Sequence, residues 1–292
     1  DTMEFGLRYC NTNQYVDPAN AVELAQAAEE AGFESVWTID HVVVPDDYAP
    51  NYPYSTDGRM SSGVPSNPRP DAIVWMTYVA AATKTLKLGT GVLVLPQRGI
   101  VVTAKQVATL DYMSGGRVLL GVGVGWMAEE FAALGVPFER RGKRTEEYIE
   151  AMRELWTSDL PTYNGEFVNF EGVHCQPRPA NGTVPIIIGG HSKAAARRAG
   201  TIGDGFFPAR EYVVELVDLV RRTAEEAGRD PDAVEIVTNM PEDEREMAPL
   251  ARSGVTRMMV PVAGLAGVKD RGIDGPEDVL KWRETIERYA DL

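Results

Sequence analysis

The chain has 292 residues, 44% hydrophobic and 25% charged, with 28 glycines, 19 prolines and two cysteines; a core of that size needs neither a metal nor a disulfide to hold it together. The net charge of −14 argues against nucleic acid and anionic membranes as partners, because too little positive charge is available to neutralise phosphates in bulk. No run of 18 apolar residues occurs, so no membrane-spanning helix is expected. The chain enters a strand-like segment at once, and its two cysteines, Cys10 and Cys175, are isolated, so a cytoplasmic, reducing setting without a signal peptide is expected, a Cys10–Cys175 bridge being the alternative.

Strands and helices alternate along the chain. Residues 3–8 read as a first strand. Asp17-Pro18 is an N-cap followed by a proline at the first helical position. Ala21, Leu24, Ala25 and Ala28 then form a helical stripe that Gly32 ends. Residues 35–39 are the second strand, and a loop over 45–70, rich in Pro, Ser, Tyr and Asn, leads to a helix over 71–83. The third strand is 86–95 (LKLGTGVLVL), with a helix over 103–113. The fourth is 117–122, followed by a glycine-rich turn and helices over 127–134 and 144–156. Residues 158–183 break the pattern, and the Asn164-Gly165 step inside them predicts a hairpin. Strands five to eight are 184–188, 205–208, 234–238 and 256–261. The helices between and after them are 192–200, 212–227, 242–253 and 276–289. Eight short apolar strands, each followed by a helix, predict an α/β fold: one (β/α)8 TIM barrel over residues 1–292, with an insertion between strands four and five. An open doubly wound sheet is the alternative, because strands three and six are weak.

In a barrel, residues at the C-terminal ends of the strands face the active site. Asp40-His41 closes strand two. An imidazole beside a carboxylate serves as acid, base or hydrogen-bond donor; the alternative is a histidine that caps the barrel mouth structurally. Gly91-Val92 lies inside strand three, where glycine marks a bulge, a close backbone approach or barrel packing. The turn Gly123-Val124-Gly125, with Ala128, imitates a dinucleotide fingerprint. It falls in the fourth βα unit, however, and the acid such a fingerprint needs on the next strand is missing, so it reads as a tight turn that lets a ligand approach the backbone. Gly189-Gly190-His191 leads into the helix that opens at Ser192. Backbone N–H groups at a helix N-terminus form an anion site, with Lys193 and Arg197 just inside; the alternative is a plain turn with a serine cap. His41, His174, His191 and the cysteines lack metal-ligand spacing, so no metal is expected. No GxSxG, CxxC or Walker lysine occurs.

Four segments carry a family resemblance: GLRYCNTNQYVDPANAVELAQAAEEAGFESVWTIDHVVVP, LKLGTGVLVLPQR, AKQVATLDYMSGGRVLLGVGVGWMAEEFAALGVPFERRGKRTEEYIEAMRELW and VPIIIGGHSKAAARRAGTIGDGFFP. Together they resemble the bacterial luciferase-like superfamily, in particular its branch of coenzyme F420-dependent oxidoreductases. The resemblance implies a TIM barrel with an insertion, a homodimer, and F420 bound at the C-terminal ends of the strands, with FMN as the alternative. It implies that Asp40 and His41 lie by the deazaflavin ring, the histidine serving in proton transfer or stabilisation. Gly91-Val92 matches a non-prolyl cis peptide that buttresses the ring. Val124 and Gly125 match positions that line the cofactor, and Gly189 and Gly190, beside His191, match those that hold its phosphate. The chain departs from the family's sugar-phosphate dehydrogenases at Trp126, where they carry a catalytic glutamate after the turn; Glu129 and Glu130 come later. The expected activity is hydride transfer between deazaflavin and a small organic substrate. The alternatives are an FMN-dependent monooxygenase and a non-catalytic flavin- or deazaflavin-binding paralogue.

Overall fold

Eight parallel strands close on one another in the computed structural model, which describes residues 2–60, 64–208, 210–265 and 268–292. They are β1 (Glu4–Arg8), β2 (Ser35–Thr38), β3 (Lys87–Thr90), β4 (Val118–Gly123), β5 (Ile186–Gly189), β6 (Gly205–Phe207), β7 (Glu235–Asn239) and β8 (Val255–Pro261). Each pairs with its successor and β8 pairs with β1, so the closed barrel is present and the open sheet is not. Three residues of the 45–70 loop, 61–63, lie outside the described residues. No helix among the described residues is long and apolar enough to cross a membrane.

The main helices are α1 (Pro18–Ala31), α2 (Ala72–Ala80), α3 (Ile100–Ser114), α4 (Ala128–Ala133), α5 (Arg141–Thr157), α6 (Lys193–Ile202), α7 (Val214–Glu226), α8 (Met247–Arg252), α9 (Pro276–Leu280) and α10 (Arg283–Tyr289). Local chemistry sets several of their ends. The Asp17 carboxylate accepts from the N–H of Ala19 and Asn20, and Gly32 ends α1 in the left-handed region at φ 92°. Between strands and helices runs the main apolar core. Inside the barrel a separate cluster of Trp37, Leu119, Ile187, Phe207, Val237 and Met259 fills the lumen, so the barrel is a packed solid below its mouth.

The structure departs from the sequence reading at four places. The third strand does not run through 86–95. It stops at Thr90, crosses the cis peptide at Gly91-Val92 that the family resemblance implied, and resumes as Leu93–Val94. Leu88 pairs with Val118 but Leu93 pairs with Val122, so the interruption takes up one residue, as a bulge does. The helix expected over 242–253 shrinks to a 3₁₀ turn at Glu244–Glu246 and the six residues of α8. Pro249 explains this: a proline lacks an N–H and is tolerated only in the first turn, so the helix cannot begin much before Met247. The closing helix divides at Lys281-Trp282, where Trp282 turns onto Phe33 at 6.2 Å between ring centroids.

The hairpin in the insertion forms, but not about a two-residue Asn-Gly turn. Tyr163 pairs with Phe170 and Asn164 with Asn169, leaving a four-residue loop. The Glu147 carboxylate accepts from the backbone N–H of Glu166, Phe167 and Val168, and so fixes the wider loop from α5.

Candidate active site

A cavity of about 760 Å³ opens at the C-terminal ends of the strands. All nine positions singled out in the sequence border it: Asp40, His41, Gly91, Val92, Val124, Gly125, Gly189, Gly190 and His191. The barrel brings together residues as far apart in the chain as Asp40 and His191.

Asp40 sits at the end of β2, 5% exposed. Its carboxylate accepts from the Val94 backbone N–H at 2.9 Å and from Arg98 Nη2 at 2.5 Å. Burial pushes its pKa up; Arg98 and the Val94 N–H oppose the shift. Arg98 also reaches Asp71, the N-cap of α2. Asp40 therefore does not project free chemistry into the cavity. It is the post to which the chain after the cis peptide is tied, which explains why strand three breaks: Val94 gives its N–H to Asp40.

His41 is different. Its Nδ1 lies 2.8 Å from Oε2 of Glu130, which is 2% exposed. The other oxygen of Glu130 accepts from the N–H of Val42 at 2.7 Å and of Val43 at 3.3 Å, and from Gln97 Nε2 at 3.3 Å. The carboxylate thus fixes both the backbone after His41 and its ring. With Nδ1 held by the carboxylate, Nε2 is the nitrogen left for a ligand. Glu130 was visible in the sequence only as one of two consecutive acids in a short helix. Its neighbour Glu129 accepts from the Ala49 N–H at 2.8 Å. Both glutamates of α4 hold the 40–50 segment.

Trp126 forms a wall beside them. Its ring meets His41, Tyr48 and Tyr52 edge to face at centroid separations of 6.3, 5.6 and 5.1 Å. Tyr48, Met60 and Met127 form a small buried cluster under this wall.

Val92 forms part of the cavity surface opposite a glycine pair. A Cβ on Gly123 would come within 2.5 Å of one Val92 methyl, and a Cβ on Gly189 within 2.3 Å of the other. Neither strand can carry a side chain there, so the valine is wedged between the ends of β4 and β5. The turn that follows places Gly125 at φ 79°.

The turn expected to hold an anion borders the cavity between β5 and α6. Gly190 takes φ 135°, a conformation that excludes L side chains. The Ser192 hydroxyl caps α6 by accepting from the Ala195 N–H at 3.2 Å. The Nδ1 atom of His191 is buried without a partner among the described residues. Lys193 and Arg197, the basic residues expected to assist, are both exposed and lie off the cavity. Arg198 and Arg141 line it instead. Arg198 is held by Glu146 at 3.0 Å, while Arg141 donates from Nε to the Gly125 carbonyl and stacks on Phe138 at 3.8 Å. Helical phase decides the exchange: Arg198, one position past Arg197, is 9% exposed.

Among the described residues, no group of three or more His, Cys, Asp or Glu side chains is arranged to hold a metal ion. Cys10 and Cys175 are both buried and free, so the bridge is not formed.

The family model described as Luciferase-like monooxygenase matches residues 3–241. An uncharacterised protein of Mycobacterium tuberculosis is 32% identical over 281 residues, 93% of this chain and 94% of its own. The F420-dependent glucose-6-phosphate dehydrogenase of Gordonia bronchialis is 32% identical over 243 residues, 80% of this chain and 67% of that one. Of solved structures, the coenzyme F420-dependent tetrahydromethanopterin reductase from Methanopyrus kandleri covers 100% of both chains with a TM-score of 0.74 at 17% identity, a likeness that speaks for the fold alone.

Proposed function

The chain belongs to the luciferase-like monooxygenase family, and from that footing we propose that it is an oxidoreductase that uses coenzyme F420 to pass a hydride to or from a small organic substrate. The observation that carries this reading is the cavity itself, bordered by the Gly189-Gly190 turn with Arg141 and Arg198, by the wedged Val92, and by the histidine of the His41–Glu130 pair. A dehydrogenase relative whose name carries F420 dependence supports it.

The residues fit such a group. Gly189, Gly190, Arg141 and Arg198 would hold the phosphate, with the α6 N-terminus supplying backbone N–H donors. Gly125 and Val124 would lie along the tail, and Val92 would support the ring. When bound, the deazaflavin supplies the hydride chemistry. The protein supplies position and the proton. A hydride carries two electrons and one proton, so reduction of a carbonyl or an activated double bond needs a second proton at the neighbouring atom. His41 Nε2, with Nδ1 anchored on Glu130, would deliver that proton in one direction and take it in the other. Trp126 stands where the sugar-phosphate dehydrogenases carry a glutamate, so the substrate of the dehydrogenase relative is not carried over.

Titration with F420 and with FMN, followed by fluorescence quenching, tests the reading. Tight F420 binding with weak FMN binding is expected. The reverse preference would mean an FMN-dependent monooxygenase, and binding of neither would mean a non-catalytic paralogue. We also propose a cytoplasmic homodimer. The free thiols accord with a reducing compartment, and the dimer rests on the family resemblance. A monomer mass by light scattering at micromolar concentration would count against the dimer.

A further inference from the structure

Of the cavity's cations, Arg8 and Arg210 have no part in the scheme above, and Arg8 is the buried one. Arg8 ends β1, lines the cavity and is 6% exposed. Arg98, Arg198 and Arg257 each sit on carboxylates, whereas Arg8 has no carboxylate partner among the described residues. Its Nη1 is engaged by the side-chain oxygen of Asn239, at the end of β7. Its Nε is buried and has no partner among the described residues. The guanidinium carbon lies over two rings, 4.3 Å from the Tyr9 centroid and 4.9 Å from that of Phe207.

A buried, unpaired guanidinium destabilises a fold unless something satisfies it. Here two rings lie against the guanidinium and Asn239 holds Nη1, so the Nε edge is the part without a partner among the described residues. That edge presents parallel N–H donors in the fork that matches a carboxylate. The surroundings favour the same ligand. Tyr52 and Tyr54 border the same cavity. Burial pushes their phenols up, so both stay protonated donors at neutral pH. Tyr9 stands at φ 68°, an uncommon backbone state for a non-glycine residue and one that recurs at ligand sites. Trp126, Phe207 and Leu265 add apolar wall.

We propose that Arg8 anchors the carboxylate of the substrate, and that the substrate class is a small organic acid whose carboxylate is carried on an apolar body. Asn239 is a positioning residue: it holds Arg8 through its oxygen and donates from its nitrogen to the Arg210 carbonyl at 2.7 Å, which ties the fork to the cavity rim. The proposal deepens the oxidoreductase reading and rests on it for the word substrate; the anion site itself stands on geometry alone.

Calorimetric titration of the protein with benzoate, benzamide and phenyl phosphate, each with and without F420, tests it. Benzoate should bind saturably and at least about tenfold more tightly than benzamide, which has the same shape without the charge; a good charge-assisted contact is of that size. Phenyl phosphate should bind no more tightly than benzoate. In Arg8→Met the preference for benzoate should disappear while F420 affinity holds, and Arg8→Lys should recover part of it. The thermal midpoint of Arg8→Met should match or exceed that of the wild type, because an unsatisfied buried cation has been removed. Equal binding of benzoate and benzamide by the wild type would overturn the proposal. With F420 filling the phosphate site, so would benzoate binding that survives Arg8→Met or a clear preference for phenyl phosphate, as would a collapse of F420 affinity in that variant or a lower thermal midpoint. Because benzoate is also titrated without F420, failure of the cofactor reading would show separately.

Discussion

At the scale of single residues, adjacent side chains in Asp40-His41 do different work. Asp40 is closed off by Arg98 and Val94, whereas His41 keeps one nitrogen for the cavity. His41→Ala should therefore lower single-turnover rate by roughly two to four powers of ten, the range for loss of a general acid or base, with F420 affinity little changed. Glu130→Gln should lower it less, because the amide can still hold the ring at Nδ1 and the backbone after His41. A His41→Ala protein with a lower thermal midpoint but a normal rate would make the histidine architecture rather than chemistry. Cys10 gives an independent check on the packing. It is fully buried, its Sγ donates to the Leu7 carbonyl at 3.4 Å, and burial pushes its thiol up to about 12. At pH 8 about one molecule in ten thousand would carry the thiolate, the reactive form. Cys10 should resist thiol reagents until the protein unfolds, and stoichiometric labelling of the native protein at this site would show that the barrel is looser than described.

At the scale of elements, what could be read in advance followed from chain-local physics. Strands buried on both faces must be apolar runs, so all eight were legible as such, the third without its interruption, and the Asp17-Pro18 start and Gly32 stop of α1 depend on nothing outside the helix. What could not be read depended on partners far along the chain. The break at Gly91-Val92 looked like a continuous strand because Asp40, which takes the Val94 N–H, is 54 positions away. The basic residues of α6 were assigned to the wrong face because helical phase is fixed by packing. The Arg8 fork was invisible because Asn239 is 231 positions away. Pro249 was local and could have been used. Glu29 shows how such distant ties hold one element to the next. One oxygen of its carboxylate accepts from the N–H of Lys84, Thr85 and Leu86 and from the Thr85 hydroxyl, so α1 clasps the turn into β3. Burial works against the charge, but these donors prevail and its pKa lies below the ordinary carboxylate value. A carboxyl with a lowered folded pKa contributes stability above its unfolded pKa and loses it as pH falls through the folded value. Glu29→Gln should cost about 1–2 kcal/mol in urea unfolding at pH 7, and the difference from the wild type should narrow below about pH 4. A deficit that stays constant into acid would mean that the clasp does not depend on charge.

At the scale of the whole molecule, the two ends of the barrel use charge in opposite ways. The C-terminal mouth keeps cations open to a ligand, in a chain whose net charge is −14. The N-terminal end neutralises its own. There Arg257 of β8, 2% exposed, meets Glu34 at 3.0 Å and lies 2.5 Å from both Glu4 and Glu235, and Lys87 adds a 2.6 Å contact to Glu34. The carboxylates come from β1, the entry to β2, and β7, so one guanidinium joins strands from across the barrel floor. It also lies over the Trp37 ring at 5.7 Å, against the lumen core. Burial pushes the Glu34 carboxyl up, but Arg257 and Lys87 outweigh it and hold the group low. Removing the cation leaves three acids crowded together with Lys87 alone, and breaking a buried charge network in this way costs about 3–5 kcal/mol. Arg257→Met should therefore be strongly destabilised at pH 7, although methionine fits the apolar surroundings. The pH dependence follows from the sign of the shifts. In the variant Glu34 loses the cation that holds it low and Glu235, already pushed up by burial, rises further, so the folded state takes up protons more readily than the unfolded one. The destabilisation is then greatest above those raised values and shrinks as pH falls through them. Urea unfolding of wild type and variant at pH 7 and pH 5 reads this directly, and the gap should be smaller at pH 5. A gap that is the same at both pH values would mean that Arg257 acts by packing on Trp37, and the barrel floor would have to be described as a hydrophobic joint rather than an electrostatic one.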